Sequence, residues 1–251
     1  MKIQHMHKLD AEQPLAELQI NMSNALTRSA HSLSLSEKRI VAACIAKTDQ
    51  MPNMAQVRQR GAWLVRLSAA DYAQTFGVDL DTAYDQLKSA SENLFNRYIR
   101  IIRKTRKGME EYKFRWVGGV RYHKGEGWVE LDWWHEVVPH LFGLRNEFTS
   151  YKLKQASALR SAYSWRLFEV LQSWQSTGRY QPSIEDFCRA MDVPEGYTKN
   201  FKEVRRRVIE PAIKELIQKN NMLITWKPQN AGRKVIGLEF RFEQNPQQSL
   251  L

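Results

Sequence analysis

Apolar residues recur at helical spacing through residues 200–220, NFKEVRRRVIEPAIKELIQKN. The stripe that they form consists of Val204, Val208, Ala212 and Leu216, widened by Ile209 and Ile213. Such a pattern predicts an amphipathic helix with one buried side. Pro211 interrupts it, because proline inside a helix removes one hydrogen bond and crowds the carbonyl four residues back. The helix is therefore expected either to bend here or to have its first turns displaced from the rest.

Three consecutive arginines, Arg205, Arg206 and Arg207, lie in the first half of this predicted helix. Successive helical residues are about 100° apart, so the three side chains cannot all lie on the buried side. Because arginine can bond guanine O6 and N7 in a bidentate way, the helix suits base reading in the major groove of DNA. The alternative is a solvated basic helix face, which is what a run of charges usually forms.

Residues 18–117 predict a strand or arm, a helix, and then a strand, two helices and a hairpin. The first predicted elements are an arm at Leu18–Arg28, a helix from the Ser34–Glu37 capping box to Lys47, and a loop at 48–62. They are followed by a strand at Trp63–Leu67, a helix capped by Ser68 and ended by Gly77, and a helix capped by Asp79 or Asp81 and running to Asn96. The hairpin then consists of a strand at Tyr98–Arg103, a turn at Lys104–Glu111 and a strand at Tyr112–Val117. Two helices joined by a short turn and followed by a basic hairpin are typical of a winged helix.

The stretch between residues 118 and 175 predicts a connecting region. Its expected elements are a turn at Gly118–Gly127, a strand at Trp128–Leu131, a short helix capped by Asp132 through Leu141, a turn and strand at Phe142–Lys154, and a helix at Ser157–Gln175.

The pattern of the first winged helix then returns. SIEDFCRAMDV at 183–193 aligns with SAADYAQTFGV at 68–78, matching the cap, the Asp–aromatic pair, the apolar residue four further on and the final valine. Each copy is followed by a long helix, and the second copy continues into a strand at Met222–Trp226, a turn at Lys227–Lys234 and a strand at Val235–Phe242. An internal duplication is the most economical explanation.

The sequence therefore predicts an α+β protein of two tandem winged-helix domains related by internal duplication. The predicted divisions are a flexible tail at 1–18, a first winged-helix domain at 19–143, a second at 144–243 and a C-terminal tail at 244–251.

Charge and composition narrow the choice of partner. The 251 residues carry a formal net charge of +11, with a pI of about 9.7. A basic globular protein suggests a polyanion, and nucleic acid fits better than a membrane. No apolar run approaches the ~18–20 residues that span a bilayer, and the N-terminus lacks the apolar region of a signal peptide. Cys44 and Cys188 lie in apolar helical stripes, which predicts reduced core residues of a cytoplasmic protein.

The residues give little support for catalysis. His5-Met6-His7 matches the metal motif of rolling-circle nickases, but it lies in a polar terminal tail rather than on a central strand. His135 and His140 miss the four-residue spacing that places two ligands on one helix face, and no P-loop motif is present. We therefore expect no catalytic site, no metal and no cofactor. Aromatic residues such as Tyr112, Trp116 and Trp174 could stack exposed bases, although at this spacing they are more often core.

Five stretches in order resemble a known family. They are NALTRSAHSL at 24–33 with EKR at 37–39, YAQTFG at 72–77, FGLRNEFT at 142–149 with Leu153, YSWRLFEVL at 163–171, and RRRVIEPAIKE at 205–215. Together they are similar to the iteron-binding replication initiators of theta-replicating plasmids, the Rep initiators of the F-plasmid kind. The resemblance covers about residues 20–243 and implies tandem winged helices.

The resemblance also implies a function. Monomers would bind the repeated origin sites through the second winged helix and open the origin, and dimers formed through the first domain would repress their own promoter. The implied partners are double-stranded origin DNA, a second copy of the chain, and host replication proteins such as the helicase. The N-terminal arm is short, and the long acidic or glycine-rich tails of some family members are absent. The sequence therefore does not indicate how the helicase is recruited.

The residues expected to contact DNA fall into three groups. Base reading is assigned to the recognition helix, with Arg205, Arg206 and Arg207. Phosphate contacts around that helix and in its wing are assigned to Lys199, Lys202, Lys227, Arg233 and Lys234. Backbone contacts from the first wing are assigned to Arg100, Arg103, Lys104, Arg106 and Lys107, whereas the first recognition helix carries Asp79, Asp81 and Asp85, which repel phosphate.

Two other functions remain open at this level. A plain winged-helix transcription repressor has the same binding chemistry but does not melt an origin. A DNA-nicking replication enzyme would leave a nicked or covalently attached product.

Overall fold

The computed structural model of the chain describes residues 13–48, 63–142, 144 and 146–245. Most of the predicted tails at 1–18 and 244–251, all but residue 48 of the predicted loop at 48–62, and the His5-Met6-His7 motif lie outside the described residues. After a short 3₁₀ turn at Leu15–Glu17, the first half contains β1 (Gln19–Ser23), α1 (Asn24–Thr27), α2 (Leu35–Thr48), β2 (Leu64–Ser68), α3 (Ala69–Phe76), α4 (Leu80–Leu94), β3 (Tyr98–Thr105), β4 (Gly108–Arg115), β5 (Val117–His123), β6 (Trp128–Trp133), α5 (Val138–Leu141), β7 (Phe148–Lys152), α6 (Lys154–Ser157) and α7 (Ala162–Gln172).

The second half continues with shorter connections. It contains β8 (Arg179–Tyr180), α8 (Ile184–Ala190), α9 (Glu195–Thr198), α10 (Phe201–Val204), a π-turn (Arg205–Ile209), α11 (Glu210–Asn220), β9 (Met222–Ala231) and β10 (Lys234–Gln244). The strands form four antiparallel groups in the orders β1–β7, β3–β4, β2–β6–β5 and β8–β10–β9.

Capping residues set the helix starts as the sequence predicts. Glu37 accepts a hydrogen bond from the Ser34 backbone at 2.7 Å, which completes the capping box before α2. The Ser68 and Ser183 hydroxyls each accept from a backbone N–H three residues on, at the starts of α3 and α8. Asp79, rather than Asp81, caps α4.

Two stretches share one order of elements, helix, strand, helix, helix, hairpin: α2 to the β3–β4 hairpin, and α7 to the β9–β10 hairpin. That order confirms two tandem winged helices. The halves differ in strand pairing, because β8 pairs with the wing strand β10 whereas its counterpart β2 pairs with β6. The hairpin β5–β6 thus replaces the wing as the partner of the first short strand.

Several predicted boundaries are wrong. Residues 118–123 are not a turn, because β5 pairs with β6 and the reversal takes only the residues after His123. Gly127 closes that reversal at φ 63°, where an added Cβ would lie 2.3 Å from the Tyr84 ring. Asp132 caps no helix, since it lies in β6 and accepts from the Trp63 N–H at 3.1 Å. Both wing hairpins have longer strands and tighter turns than expected.

The helix predicted at 157–175 begins later and ends earlier. Its N-cap is Ser161, whose hydroxyl accepts from the Tyr163 N–H at 3.2 Å, and residues 154–157 form a separate turn. Just upstream, β7 pairs with β1. The predicted domain boundary at residues 143 and 144 lies between these two paired strands, and the division of the chain there stays a prediction.

Pro211 is accommodated by a π-turn. The Glu210 N–H bonds the Arg205 carbonyl five residues back, so this turn contains one extra residue. The wider turn lies directly before the proline, where the ring would otherwise crowd the Arg207 carbonyl. The predicted stripe is confirmed, since Val204, Val208 and Leu216 are fully buried.

A buried guanidinium joins the two halves. Arg166 in α7 donates from Nη2 to the Ser29 carbonyl at 2.7 Å and from Nε to the Ala190 carbonyl at 3.0 Å. Its Nη1 lies 3.0 Å from Nδ1 of His31, and Asp192 accepts from the His31 backbone N–H at 2.9 Å. The segment before α2 is thereby tied to the end of α8.

An ion pair lies next to that guanidinium. Lys38 Nζ is 2.7 Å from Glu169 Oε2, and both side chains are at most 2% exposed. The Tyr151 hydroxyl donates to the other Glu169 oxygen at 2.7 Å. Breaking one partner of a buried pair leaves an uncompensated charge, which is strongly destabilising. The junction between the halves is therefore specified by polar contacts within a common apolar core.

His31 should make stability fall in acid. Burial, followed by repulsion from Arg166 and Lys38, holds the pKa of His31 well below its usual range. Below about pH 6.5 the unfolded chain binds a proton that the folded chain does not, so the free energy of unfolding decreases by up to about 1.4 kcal/mol per pH unit. Denaturant unfolding of wild type and His31→Gln from pH 7 to pH 5 should show the gap between them narrowing.

The matched control is His135→Gln, because that ring is exposed. Parallel stability curves for wild type and His31→Gln across this pH range would contradict the assignment.

Candidate nucleic-acid interface

The arginines of the recognition helix, residues 201–220, all reach solvent. The side chains of Arg205, Arg206 and Arg207 are 57%, 60% and 48% exposed. Asn200 caps the helix by accepting from the Lys202 N–H at 3.0 Å. The π-turn contains all three arginines, so the extra residue determines where around the helix axis each one projects.

Each of these arginines has an acidic neighbour on the same helix. Arg207 Nε lies 2.6 Å and Arg206 Nη2 3.1 Å from Glu203 Oε2, and Arg205 Nε lies 2.7 Å from Glu210 Oε1. Hydrogen bonds from Arg207 and Arg206 lower the pKa of Glu203. The pairs lie on the surface rather than folded into the core, and water makes exposed ion pairs weak. The guanidinium groups are held in place but can exchange partners.

Aromatic rings connect the arginines to neighbouring elements. Arg205 lies over the Trp226 ring at 5.8 Å, and Arg207 lies over the Tyr197 ring at 5.1 Å. The rings of Phe201 and Trp226 are 6.4 Å apart, which packs the start of the helix against β9. The helix and the second wing therefore form one continuous surface.

The basic residues predicted around this helix are also exposed. These residues are Lys199, Lys202, Lys227, Arg233 and Lys234. Arg233 lies in the turn between β9 and β10, with Lys234 directly after it, while Lys199 and Lys202 flank the helix N-cap. The structure thus brings the predicted second-domain residues onto one helix, its N-terminal approach and one hairpin.

One acidic residue on a strand of the second wing was not predicted to belong to this surface. Glu239 in β10 is 6% exposed and lies 2.9 Å from Arg241 Nε, 3.2 Å from Arg179 Nη2 and 3.3 Å from Lys227 Nζ. The hydrogen bond from Arg241, with help from Lys227 and Arg179, lowers the pKa of Glu239. The sequence shows an acidic residue between the inward-facing Leu238 and Phe240 of β10. The cations that pair with this acid cannot be predicted without knowing how the strands pair.

The first wing is basic on one strand and mixed on the other. Its predicted contacts, Arg100, Arg103, Lys104, Arg106 and Lys107, are all exposed on β3 or its turn. In the register of the hairpin, Arg103 faces Glu110 and Arg100 faces Lys113. Asp79, Asp81 and Asp85 are exposed on α4 and its cap, so this helix presents three carboxylates to solvent.

Most aromatic residues considered for base stacking are core. Phe114, Trp116, Trp133 and Trp165 are at most 5% exposed. Tyr112 remains on the surface and lines a groove with Trp134.

Metal and thiol chemistry find no support in the described part of the chain. Among those residues, no group of three or more His, Cys, Asp or Glu side chains could hold a metal ion. Burial raises the pKa of the Cys44 thiol to about 12 and that of Cys188 to about 11. Within the same residues, no helix combines the length and apolarity needed to cross a membrane.

These features define a tandem winged-helix protein with an arginine-bearing helix and two basic hairpins. Residues 19–172 match the family model described as "Initiator Replication protein, WH1", and residues 183–242 match "Initiator Rep protein, WH2". The chain therefore belongs to the initiator replication protein family.

Two relatives and one solved structure are similar to this chain. An uncharacterized 27.6 kDa protein of Escherichia coli is 26% identical over 236 residues, which cover 92% of this chain and 97% of the relative. A probable replication protein rep of Bifidobacterium longum (strain NCC 2705) is 25% identical over 99 residues, 39% of this chain and 33% of that protein. The crystal structure of Pi initiator protein in complex with iteron DNA shares the fold, with a TM-score of 0.73, 22% identity, and coverage of 92% of this chain and 99% of that one.

Glu239 and Glu203 should differ in their effect on stability. Glu239→Gln leaves three cations around a nearly inaccessible position, so the midpoint of thermal unfolding should fall, and added salt should restore part of the loss by screening the repulsion. Glu203→Gln, whose partners are exposed, should change the midpoint much less. Equal midpoints for both variants across a salt series would contradict this.

Proposed function

We propose that this protein is a sequence-specific double-stranded DNA-binding protein that initiates plasmid replication by binding repeated origin sites, or iterons, and promoting origin opening. The observation that carries the proposal is the exposed arginine turn at 205–207, mounted on a buried apolar stripe and joined to a basic wing through Trp226. The iteron complex of the Pi initiator, which has the same fold, supports the same class of ligand.

Within that proposal, the second winged helix reads the site. Arg205 and Arg206 exchange their carboxylate partners for base edges, and Arg207 lies beside them. The lysines and arginines that flank the helix and form the wing tip contact phosphates, which position the protein but carry no sequence information. Because the present ion pairs are exposed, breaking them opposes DNA binding only weakly.

The first winged helix contributes in a different way. Its wing contacts the backbone through the basic side of β3, while the aspartates of α4 keep that helix from phosphate. The same domain forms the dimer, and the dimer represses the gene for this protein. Host replication proteins, including the helicase, supply the enzymatic steps, so this chain acts in the cytoplasm without a catalytic site or cofactor.

Binding-site selection from random duplexes tests the assignment of Arg206. Arg206→Ala should lose preference at one base position, by ~1–3 kcal/mol of discrimination, because a bidentate arginine–guanine contact is removed. Lys234→Ala is the matched control and should weaken binding to all sequences equally, with a salt slope less steep by about 1. Unchanged selectivity in Arg206→Ala would remove that residue from the readers.

Permanganate footprinting on supercoiled plasmid carrying the selected repeats beside an AT-rich tract tests initiation. Binding should make thymines of the tract reactive, because the initiator opens the duplex. Sequence-specific binding without such reactivity would instead favour a plain repressor. A nicked or protein-linked product in the same Mg²⁺ reaction would show a DNA-processing enzyme.

A further inference from the structure

A cleft of about 410 Å³ lies between the first wing and the second domain. One wall is the strand β3, with Arg100 and Arg103, and the other is the stretch from β8 to α8, with Arg189. Arg28 and Trp174 line the remaining side. Four of the residues that line the cleft are arginines, and one lining residue is acidic, Asp186, which already pairs with Arg189 at 2.9 Å. Its charge therefore favours an anion.

Arg28 is held in the cleft by neutral groups. Its Nε donates to the Ser173 hydroxyl at 3.0 Å, and its Nη2 donates to the Ser173 carbonyl at 2.9 Å. Its guanidinium group stacks on Trp174, 4.1 Å from the ring centroid. These contacts fix the plane of the guanidinium. Because an arginine side chain has five N–H donors, further donors remain for a ligand. A partly buried cation oriented in this way is prepared for an anionic ligand.

The facing strand carries an unfavourable charge arrangement. Arg100 stands directly opposite Lys113 in the β3–β4 hairpin, and like charges in opposite positions destabilise a sheet. A polyanion bound along the hairpin would neutralise both. The backbone of Arg100 also pairs with Ala30, which anchors the base of the wing beside the segment that Arg166 holds.

The cleft lies between the bases of the two wings. Arg100 and Arg103 belong to the first wing. On the opposite wall, Tyr180 pairs with Phe240 of β10, and the Pro182 carbonyl accepts from the Leu238 N–H at 3.0 Å. A duplex that bridged the bases of both hairpins would therefore lie against this cleft.

We propose that the cleft binds the phosphodiester backbone of duplex DNA between the segments contacted by the two winged helices, with Arg28 and Arg189 as phosphate contacts. This inference rests on the proposed function and adds a third contact region to it. The contacts position the duplex and read no base, because the lining offers guanidinium groups at a cleft rather than a helix that enters a groove.

Salt-dependent binding of Arg28→Gln and Arg189→Gln tests the cleft. Each lost phosphate contact should make the slope of log K against log salt less negative by about 0.9, with affinity falling similarly for selected and random duplexes. Ethylation interference should lose signal at phosphates between the two protected segments. The matched control is Arg121→Gln, a 67% exposed arginine on β5 outside the cleft, which should keep the wild-type slope and pattern.

The outcomes separate the two proposals. The cleft site is overturned if Arg28→Gln and Arg189→Gln fold and keep the wild-type salt slope and interference pattern. It is also overturned if the two substitutions weaken binding to single-stranded DNA only. If Arg28 is purely structural, Arg28→Gln lowers the midpoint of thermal unfolding without changing the salt slope. The salt slope of Arg189→Gln then decides whether the cleft binds phosphate. A wild-type protein without sequence preference refutes the proposed function instead, while slopes on random duplexes still report the cleft.

Discussion

The arrangement of the whole molecule depends on one guanidinium. Arg166 donates to carbonyls from both halves of the chain and contacts His31, so its hydrogen bonds define how the first winged helix meets the second. Losing it would leave the Ser29 and Ala190 carbonyls in a buried junction without this donor, and unsatisfied buried polar groups are costly. This contact therefore helps to set the distance between the two wings.

The fold was predictable where the signals are local. Ser68, Gly77 and Ser183 mark helix ends through their own backbone geometry, and the recurring SIEDFCRAMDV pattern gave the duplication. Strand pairing is not local, which is why the residues of β5 looked like a glycine-rich turn. The exchange of partners between β2 and β8 could not be found either, because it depends on a hairpin inserted far along the chain.

The candidate interface shows the same division. Runs of arginine and lysine are visible in the sequence, and helix geometry alone requires that the three arginines are not all buried. Their carboxylate partners, Glu203 beside the cluster and Glu239 beneath the wing, become evident only with side chains placed in space. Arg28 was even harder to find, because the sequence places it only at the end of a predicted strand or arm, and the folded chain brings it beside β3 and α8.

The π-turn has an evolutionary consequence. The extra residue sets how the helix residues before the turn are rotated relative to those after it. Adding or removing one residue changes this rotation by about 100°. A change at Pro211 that let the turn relax to ordinary α geometry would rotate the arginines around the helix axis relative to the buried Ala212, Ile213 and Leu216. Related chains that differ at this position would thus present the same three arginines in another direction.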